Sequence, residues 1–123
     1  MVQKRGYDRT RRVADLLQRT LAQMLIQDMS DNRFRMVTVT GVTVSRDLSY
    51  AKVYVSMLFD DAEKIKQTLA ALNRSAKAMR YHLAREVDLR IVPELKFHYD
   101  ESTAHGFRVS DAIDEAMKKE KKD

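Results

Sequence analysis

The sequence contains no cysteine, no tryptophan, one proline and three glycines. Without cysteine there can be no disulfide, no thiolate metal site and no cysteine nucleophile, and this composition fits a reducing cytoplasm. The glycines do not cluster, so the glycine-rich loops of nucleotide enzymes are absent. No apolar run approaches the roughly 20 residues that span a bilayer, and the polar start MVQKRGYDRTRR does not fit a secretory signal. We therefore expect a cytoplasmic protein without a membrane partner.

Charge and apolar content describe a folded basic protein. The chain has 123 residues, of which 44% are hydrophobic and 33% charged, and this length fits one domain with its own core. Lysine and arginine number 23 against 18 acidic residues, which gives a net charge of +5. A basic excess favours a polyanionic partner without naming one.

The first long pattern is helical and lies between residues 9 and 28. Apolar residues recur there at steps of three and four, which predicts one buried stripe on a long helix. A basic cluster overlaps its start, with only Asp8 of opposite charge inside it: Lys4, Arg5, Arg9, Arg11 and Arg12. These residues are candidate phosphate contacts, because Lys and Arg neutralise phosphates in nucleic-acid complexes.

Three segments have the composition of β-strands. Residues 37–44 are rich in Val and Thr, and residues 50–58 alternate apolar and polar side chains with a period of two. The five residues between them are about as long as a hairpin connection, so we expect antiparallel pairing with Arg46 at an exposed tip. The third strand follows Pro93 and carries Leu95, Phe97 and Tyr99 on its inward face.

A second helical pattern follows, with Asp60 or Asp61 as its N-cap. Its apolar residues share one side of the helix between Ile65 and Val87. A basic ridge with one aromatic residue lies on the opposite side: Arg74, Lys77, Tyr81 and Arg85. Because the stretch from residue 73 to 75 is the weakest helix-forming part, we expect a kink near Ser75 that divides the segment into a helix pair.

The predicted order is helix, strand, strand, helix pair, strand and a final helix at about residues 107–119. Three strands with helices on one face make an α+β two-layer domain, and the order matches the type II KH topology. The domain should span residues 1–118, with residues 119–123 as a charged flexible tail. The Gly-x-x-Gly loop by which KH domains usually approach RNA is absent, so RNA contacts would depend on the basic surfaces.

Other functions compete with RNA binding. An enzyme is not expected, because His82, His98 and His105 lack metal-ligand spacing and no motif requires a metal or cofactor. Each basic cluster taken alone also fits a solvated helix face, and Tyr81 can equally cover its own helix. Lys52 and Tyr54, on the outer face of the second strand, are open to the same two interpretations. The main alternative is a protein-interaction adaptor that docks a partner through a sheet edge or the final helix.

Three stretches carry a resemblance to a known family. They are RVADLLQRTLAQMLIQDMSDNRF (residues 12–34), TVTGVTVSRDLSYAKVYVS (residues 38–56) and RIVPELKFHYDES (residues 90–102). In these stretches the chain resembles bacterial ribosome-binding factor A. The resemblance implies a non-enzymatic type II KH-like protein that binds the 30S ribosomal subunit and 16S rRNA. It also implies a role in late 30S maturation, in processing of the 16S rRNA 5′ end and in growth in the cold. Ribosomal proteins are further candidate partners, and we expect a monomer when the protein is free.

The family usually carries an Ala-x-Gly motif between its two central helices, and this motif falls here on Ser75, Ala76 and Lys77. The chain departs from the motif, and Lys77 would supply a charge where the family has a close backbone contact. The resemblance implies an RNA-contact role for this region. The candidate RNA-binding residues are therefore Lys4, Arg5, Arg9, Arg11, Arg12, Arg46, Arg74, Ser75, Ala76, Lys77, Tyr81 and Arg85.

Overall fold

The computed structural model describes residues 2–27, 31–58 and 61–101, with side chains described from residue 9 of the first range onward. Within these ranges the elements are helix α1 (Val2–Gln27), the short 3₁₀ helix η1 (Asn32–Met36), strands β1 (Val37–Val44) and β2 (Tyr50–Met57), helix α2 (Ala62–Glu86) and strand β3 (Glu94–Tyr99). The predicted final helix, the boundary at residue 118 and the charged tail lie outside the described residues.

The three strands form one sheet in the order β1-β2-β3. β1 and β2 form the predicted antiparallel hairpin, in which Val37 lies opposite Met57 and Val44 lies opposite Ala51. β3 pairs parallel to β2, and a parallel pair requires the long crossover connection that α2 provides. An extra residue just before Gly41 makes a bulge in β1, so that apolar side chains stay on one face of the strand on both sides of the bulge.

Both helices pack on the same face of the sheet, α1 against β1 and α2 against β3. Their apolar stripes meet the inward side chains of the strands in a single core. The core residues with no exposed surface are Leu17, Leu21, Leu25, Ala51, Val53, Val55, Leu72, Met79 and Leu83. Because full burial of one Val or Leu side chain contributes about 1.5–3 kcal/mol, this core fixes the position of each helix on the sheet.

The predicted α+β fold class is confirmed, with one correction to the central helix. The carboxylate of Asp61 accepts the Glu63 N–H at 2.8 Å, so Asp61 is the N-cap of α2. From there α2 continues without interruption to Glu86, and one helix takes the place of the expected pair. The side chain of Asn73, a residue type that weakens helices, forms hydrogen bonds with the backbone of Phe97 instead of competing for the helix backbone.

Neither α1 nor α2 is a candidate for crossing a membrane. Among the described residues, no helix combines the length and the apolar character that a membrane span requires.

Candidate nucleic-acid interface

The outer side of α2 carries a row of side chains that point away from the core. Arg74, Lys77, Tyr81 and Arg85 follow one another at steps of three and four, and all are exposed, Tyr81 to 66%. At 1.5 Å per residue, the row is roughly 17 Å long. None of its three cations forms an ion pair with another described residue. This row, called the α2 ridge below, lies on the face that the sequence predicted.

Polar contacts from one flank of α2 to the β3 side hold the ridge in place. Asn73 accepts the Phe97 N–H on Oδ1 at 2.8 Å, and its Nδ2 donates to the Phe97 carbonyl oxygen at 3.2 Å. Further along the helix, Nε of Arg80 donates to the carbonyl oxygen of Val92 at 3.0 Å. Since partly buried backbone groups are costly to leave unpaired, these contacts resist rotation of the helix about its axis. The α2 ridge therefore points in one defined direction.

The three residues at the position of the family motif have different surroundings. Ser75 and Ala76 are half-buried, and Ala76 packs against the hydrophobic core. Lys77 is exposed and lies within the α2 ridge. The structure thus brings Lys77 together with the other ridge residues and keeps Ser75 and Ala76 on the inner flanks of the helix.

The basic residues of α1 spread around the helix. Lys4 and Arg5 lie in its first two turns, where only the backbone is described, whereas Arg9, Arg11 and Arg12 are exposed. At about 100° per residue, Arg9 and Arg11 are separated by about 160° around the helix axis. The predicted N-terminal cluster is therefore not one continuous face.

A contact of α1 with the sheet shows which way these arginines point. Nε2 of Gln18 donates to the carbonyl oxygen of Val39 in the edge strand β1 at 3.4 Å. By helical periodicity, Gln18 lies on the same side of α1 as Arg11, while Arg9 lies on the opposite flank. Arg9 therefore lies on the flank of α1 that faces α2, and Arg11 lies on the flank that faces the outer edge of the sheet.

The short helix η1 adds two arginines that the sequence reasoning missed. Arg33 and Arg35 are both exposed, while Phe34 between them is buried and fixes η1 on the core. Asp31 caps η1 and pairs with the Arg33 guanidinium, with Arg33 Nη2 at 2.6 Å from Asp31 Oδ2. The hydrogen bond from Arg33 lowers the pKa of Asp31, and the charge of Arg74 adds to this effect, so η1 lies within electrostatic reach of the α2 ridge. In the sequence, only the spacing of Asp31 and Arg33 indicates this capped helix, and the surrounding residues have a composition that is typical of a turn.

Arg46 is exposed at the tip of the β1–β2 connection, as predicted. Oδ1 of the neighbouring Asp47 accepts hydrogen bonds from the Ser49 hydroxyl at 2.7 Å, the Ser45 hydroxyl at 2.8 Å and the Ser49 N–H at 3.1 Å. These bonds, led by that from the Ser49 side chain, lower the pKa of Asp47 from 3.8 to about 2. Leu48 completes the turn with a positive φ of 61°. Arg46 is thus presented by a hydrogen-bonded turn.

The described residues contain no group of three or more His, Cys, Asp or Glu side chains that could hold a metal ion. What these surfaces can do is attract a polyanion through exposed cations. Together the fold and the site define a class of protein, a two-layer α+β domain of KH-like order with a basic outer helix surface.

Comparison with known proteins identifies the family within this class. The family model described as ribosome-binding factor A matches residues 9–113. Ribosome-binding factor A of Pseudomonas syringae pv. syringae (strain B728a) is 46% identical over 112 residues, which cover 90% of this chain and 81% of that protein. That of Pseudomonas putida (strain GB-1) is 42% identical over 112 residues, covering 90% and 85%. The chain belongs to the ribosome-binding factor A family.

Solved structures agree with this assignment. The crystal structure of ribosome-binding factor A from Thermus thermophilus matches with a TM-score of 0.62 and 32% identity, over 73% of this chain and 94% of that one. A homology model of the Thermus thermophilus factor, fitted into the cryo-EM map of its complex with 30S, matches with a TM-score of 0.60 and 34% identity over the same shares. The α+β fold is therefore of the KH-like type found in this family.

Proposed function

We propose that this protein binds the 30S ribosomal subunit through 16S rRNA and assists late maturation of the subunit, including processing of the 16S rRNA 5′ end and growth in the cold. It acts by binding alone, as one cytoplasmic KH-like domain to residue 118 with a charged tail. The observation that carries the proposal is the α2 ridge, in which three exposed cations flank an exposed tyrosine on a firmly packed helix. The relative fitted into a 30S complex, with which this chain shares its fold, supports the choice of partner.

The proposed mechanism is electrostatic. The α2 ridge contacts phosphate groups, and the α1 arginines and Arg46 add cations at other points of the surface. Each neutralised phosphate releases counterions, so affinity falls steeply as salt rises, with a slope near −0.9 per contact for duplex nucleic acid. Contacts of this type position an RNA segment without reading its bases, and recognition would depend on RNA shape.

The alternative, a protein-interaction adaptor, needs an accessible sheet edge or the final helix. At the β3 edge the two backbone groups of Phe97 are already bonded to Asn73, which leaves less of that edge for an added strand. The final helix lies outside the described residues. The RNA-binding proposal is therefore the better supported of the two.

Sedimentation of the purified protein with isolated 30S and 50S subunits over a salt series tests the proposal. The test variant is Arg74→Ala/Lys77→Ala/Arg85→Ala. The matched control is Lys64→Ala/Lys66→Ala/Arg90→Ala, which removes the same charge from exposed positions away from the ridge.

Selective binding to 30S that weakens with salt, and that the ridge variant loses while the control keeps it, is the expected result. Equal loss of 30S binding in both variants would show that binding depends on the net charge of the protein and not on the α2 ridge in particular. Binding to neither subunit would overturn the proposed function.

A further inference from the structure

The sheet has a second face, opposite to both helices. On this face the strand register places one lysine beside another and one aromatic ring beside another. Lys52 is aligned with Lys96 in β3, and Tyr54 is aligned with His98. On the β1 side, Thr43 is aligned with Lys52 and Gly41 with Tyr54. The described helices both contact the other face of the sheet. Two adjacent rows therefore cross the outer face, one with two lysines and one with two aromatic rings and a glycine.

The two lysines are register neighbours of like charge. Adjacent strands lie about 4.8 Å apart, and like charges directly opposite each other are unfavourable. Both side chains are exposed, and neither forms an ion pair with a described carboxylate, including Glu94 on the same face. A bridging anion would relieve this repulsion, and a phosphodiester group is small enough to contact both ammonium groups.

The aromatic row contains a half-buried tyrosine ring with a glycine beside it. The rings of Tyr54 and His98 pack together with centroids 5.7 Å apart and planes at 33°, so the tyrosine ring has an aromatic neighbour on β3. On its other flank Gly41 has no side chain, and a Cβ atom placed there would meet no atom of the described residues within 4 Å. A flat planar group can therefore lie over the Gly41 backbone beside the Tyr54 ring.

We propose that this outer face binds a single-stranded RNA segment, with one base against Tyr54 above Gly41 and a neighbouring phosphate between Lys52 and Lys96. Successive outward side chains of a strand are about 7 Å apart, a distance that one extended nucleotide spans. A single strand fits better than a duplex, because stacking on a side chain needs a base that is not already stacked.

This site is distinct from the α2 ridge and lies on the opposite side of the sheet. It rests on the proposed function only for its ligand class, RNA. With both surfaces occupied, the domain would hold a single strand on one side and a structured rRNA segment on the other.

One substitution separates binding from folding. Gly41→Thr places a β-branched side chain at a strand position, where such residues are favoured and where no atom of the described residues would clash, so the protein should fold normally. The same side chain would occupy the space proposed for the base, and affinity for a single strand should fall about tenfold. Thr38→Val, another exposed outward position of β1, is the matched control and should leave affinity unchanged.

A second variant tests the phosphate contact. Lys52→Gln/Lys96→Gln should reduce the salt slope of single-strand binding by about 0.7, because the two lysines share one phosphate. The control Lys64→Gln/Lys66→Gln removes the same charge from α2 and should retain the slope.

The experiment is a titration of the full chain with a fluorescein-labelled oligouridylate at low salt, followed by anisotropy and by ¹H–¹⁵N correlation spectra. We expect spectral changes at Gly41, Lys52, Tyr54 and Lys96, and weaker binding by the Gly41→Thr and double-lysine variants. No binding by the parent protein, changes confined to α1 and α2, or unchanged affinity in Gly41→Thr would each overturn the proposal.

The α2 ridge variant, measured in parallel, separates the two proposals. Loss of 30S binding in the ridge variant, together with oligouridylate binding that Gly41→Thr does not affect, would overturn the sheet-face site and leave the proposed function standing. Oligouridylate binding lost in Gly41→Thr but kept in the ridge variant would support the sheet-face site whatever the 30S result.

Discussion

The side-chain amide of Asn73 pairs with both backbone groups of Phe97, with the N–H and the carbonyl oxygen each hydrogen-bonded to the amide. Alternate residues of a strand direct their backbone groups to opposite sides, so the amide occupies the place that the backbone of a further strand would take. One side chain of α2 thereby limits the free edge of β3 and fixes the rotation of the helix that carries the α2 ridge.

Replacing Asn73 should therefore destabilise the fold strongly. Asn73→Leu leaves two partly buried backbone groups of Phe97 without partners, each costing about 1–3 kcal/mol, so we expect a total loss of roughly 2–6 kcal/mol. Urea unfolding measures this loss against Gln67→Leu, an exposed position on the same helix, which should change stability by less than about 0.5 kcal/mol. A small effect at Asn73 would show that the pairing does not hold α2 in place.

Asp47 should make stability depend on pH in the acid range. Its pKa is about 2 in the folded protein and 3.8 ordinarily, so its contribution is present above about pH 4 and is lost as pH falls towards 2. The difference in urea midpoint between the parent and Asp47→Asn should therefore shrink over this range. Ser45→Ala/Ser49→Ala keeps the Asp47 carboxyl but removes both hydroxyl donors. In this variant the pKa of Asp47 should lie nearer 3.8, so the stability that Asp47 contributes should be lost at a higher pH than in the parent protein. A parent-to-variant difference that is constant with pH would contradict this account.

At Leu48, a glycine substitution should destabilise the protein less than an alanine substitution, which is the reverse of the usual order. Its φ of 61° lies in the left-handed region, which costs a non-glycine residue about 1–2 kcal/mol, while its side chain also packs against the core. Leu48→Ala loses the packing and keeps the strain, whereas Leu48→Gly loses the packing and relieves the strain. Thermal or urea unfolding should find the glycine variant more stable by about 1 kcal/mol. An alanine variant of equal or greater stability would show that this turn is not strained.

The two flanks of α1 should differ in RNA binding. Arg9 lies on the flank of α1 that faces α2 and Arg11 on the flank that faces the outer edge of β1, so Arg9 is the nearer of the two to the helix that carries the α2 ridge. Arg9→Ala should weaken 30S association and lower its salt slope by about one phosphate contact, and Arg11→Ala should do so much less. Sedimentation over the same salt series compares the two variants, which have identical net charge. Equal effects would assign both residues to a general electrostatic attraction.

Much of the fold could be predicted because it depends on local periodicity. The stripe of α1, the alternation of β2 and the cap at Asp61 each follow from neighbouring residues. The continuity of α2 could not be predicted in this way, because what stabilises its Asn73 segment is Phe97, a residue distant in the chain. The helix η1 was missed because five residues are too few to show a period, although Asp31 marks its start.

The candidate site was predicted less completely than the fold. The four residues of the α2 ridge share one helix, so their common face could be derived from spacing alone. The pairing of Lys52 with Lys96 required the parallel register of β2 and β3, which no local pattern contains. Likewise, which flank of α1 faces the outer edge of the sheet became clear only from the contact of Gln18 with the edge strand. RNA binding by all these residues stays a prediction.

The parallel pairing of β3 with β2 also bears on how the chain acquires its structure during synthesis. β1 and β2 are neighbours in sequence and can pair as soon as both have left the ribosome. The other edge of β2 stays unpaired until α2 and then β3 have been synthesised. Non-local pairing of this kind is slow, and an unpaired central strand is a template for aggregation. A nascent or truncated chain that ends before Glu94 would therefore leave β2, the middle strand of the sheet, unpaired along one edge, so β3 protects the protein from misassembly.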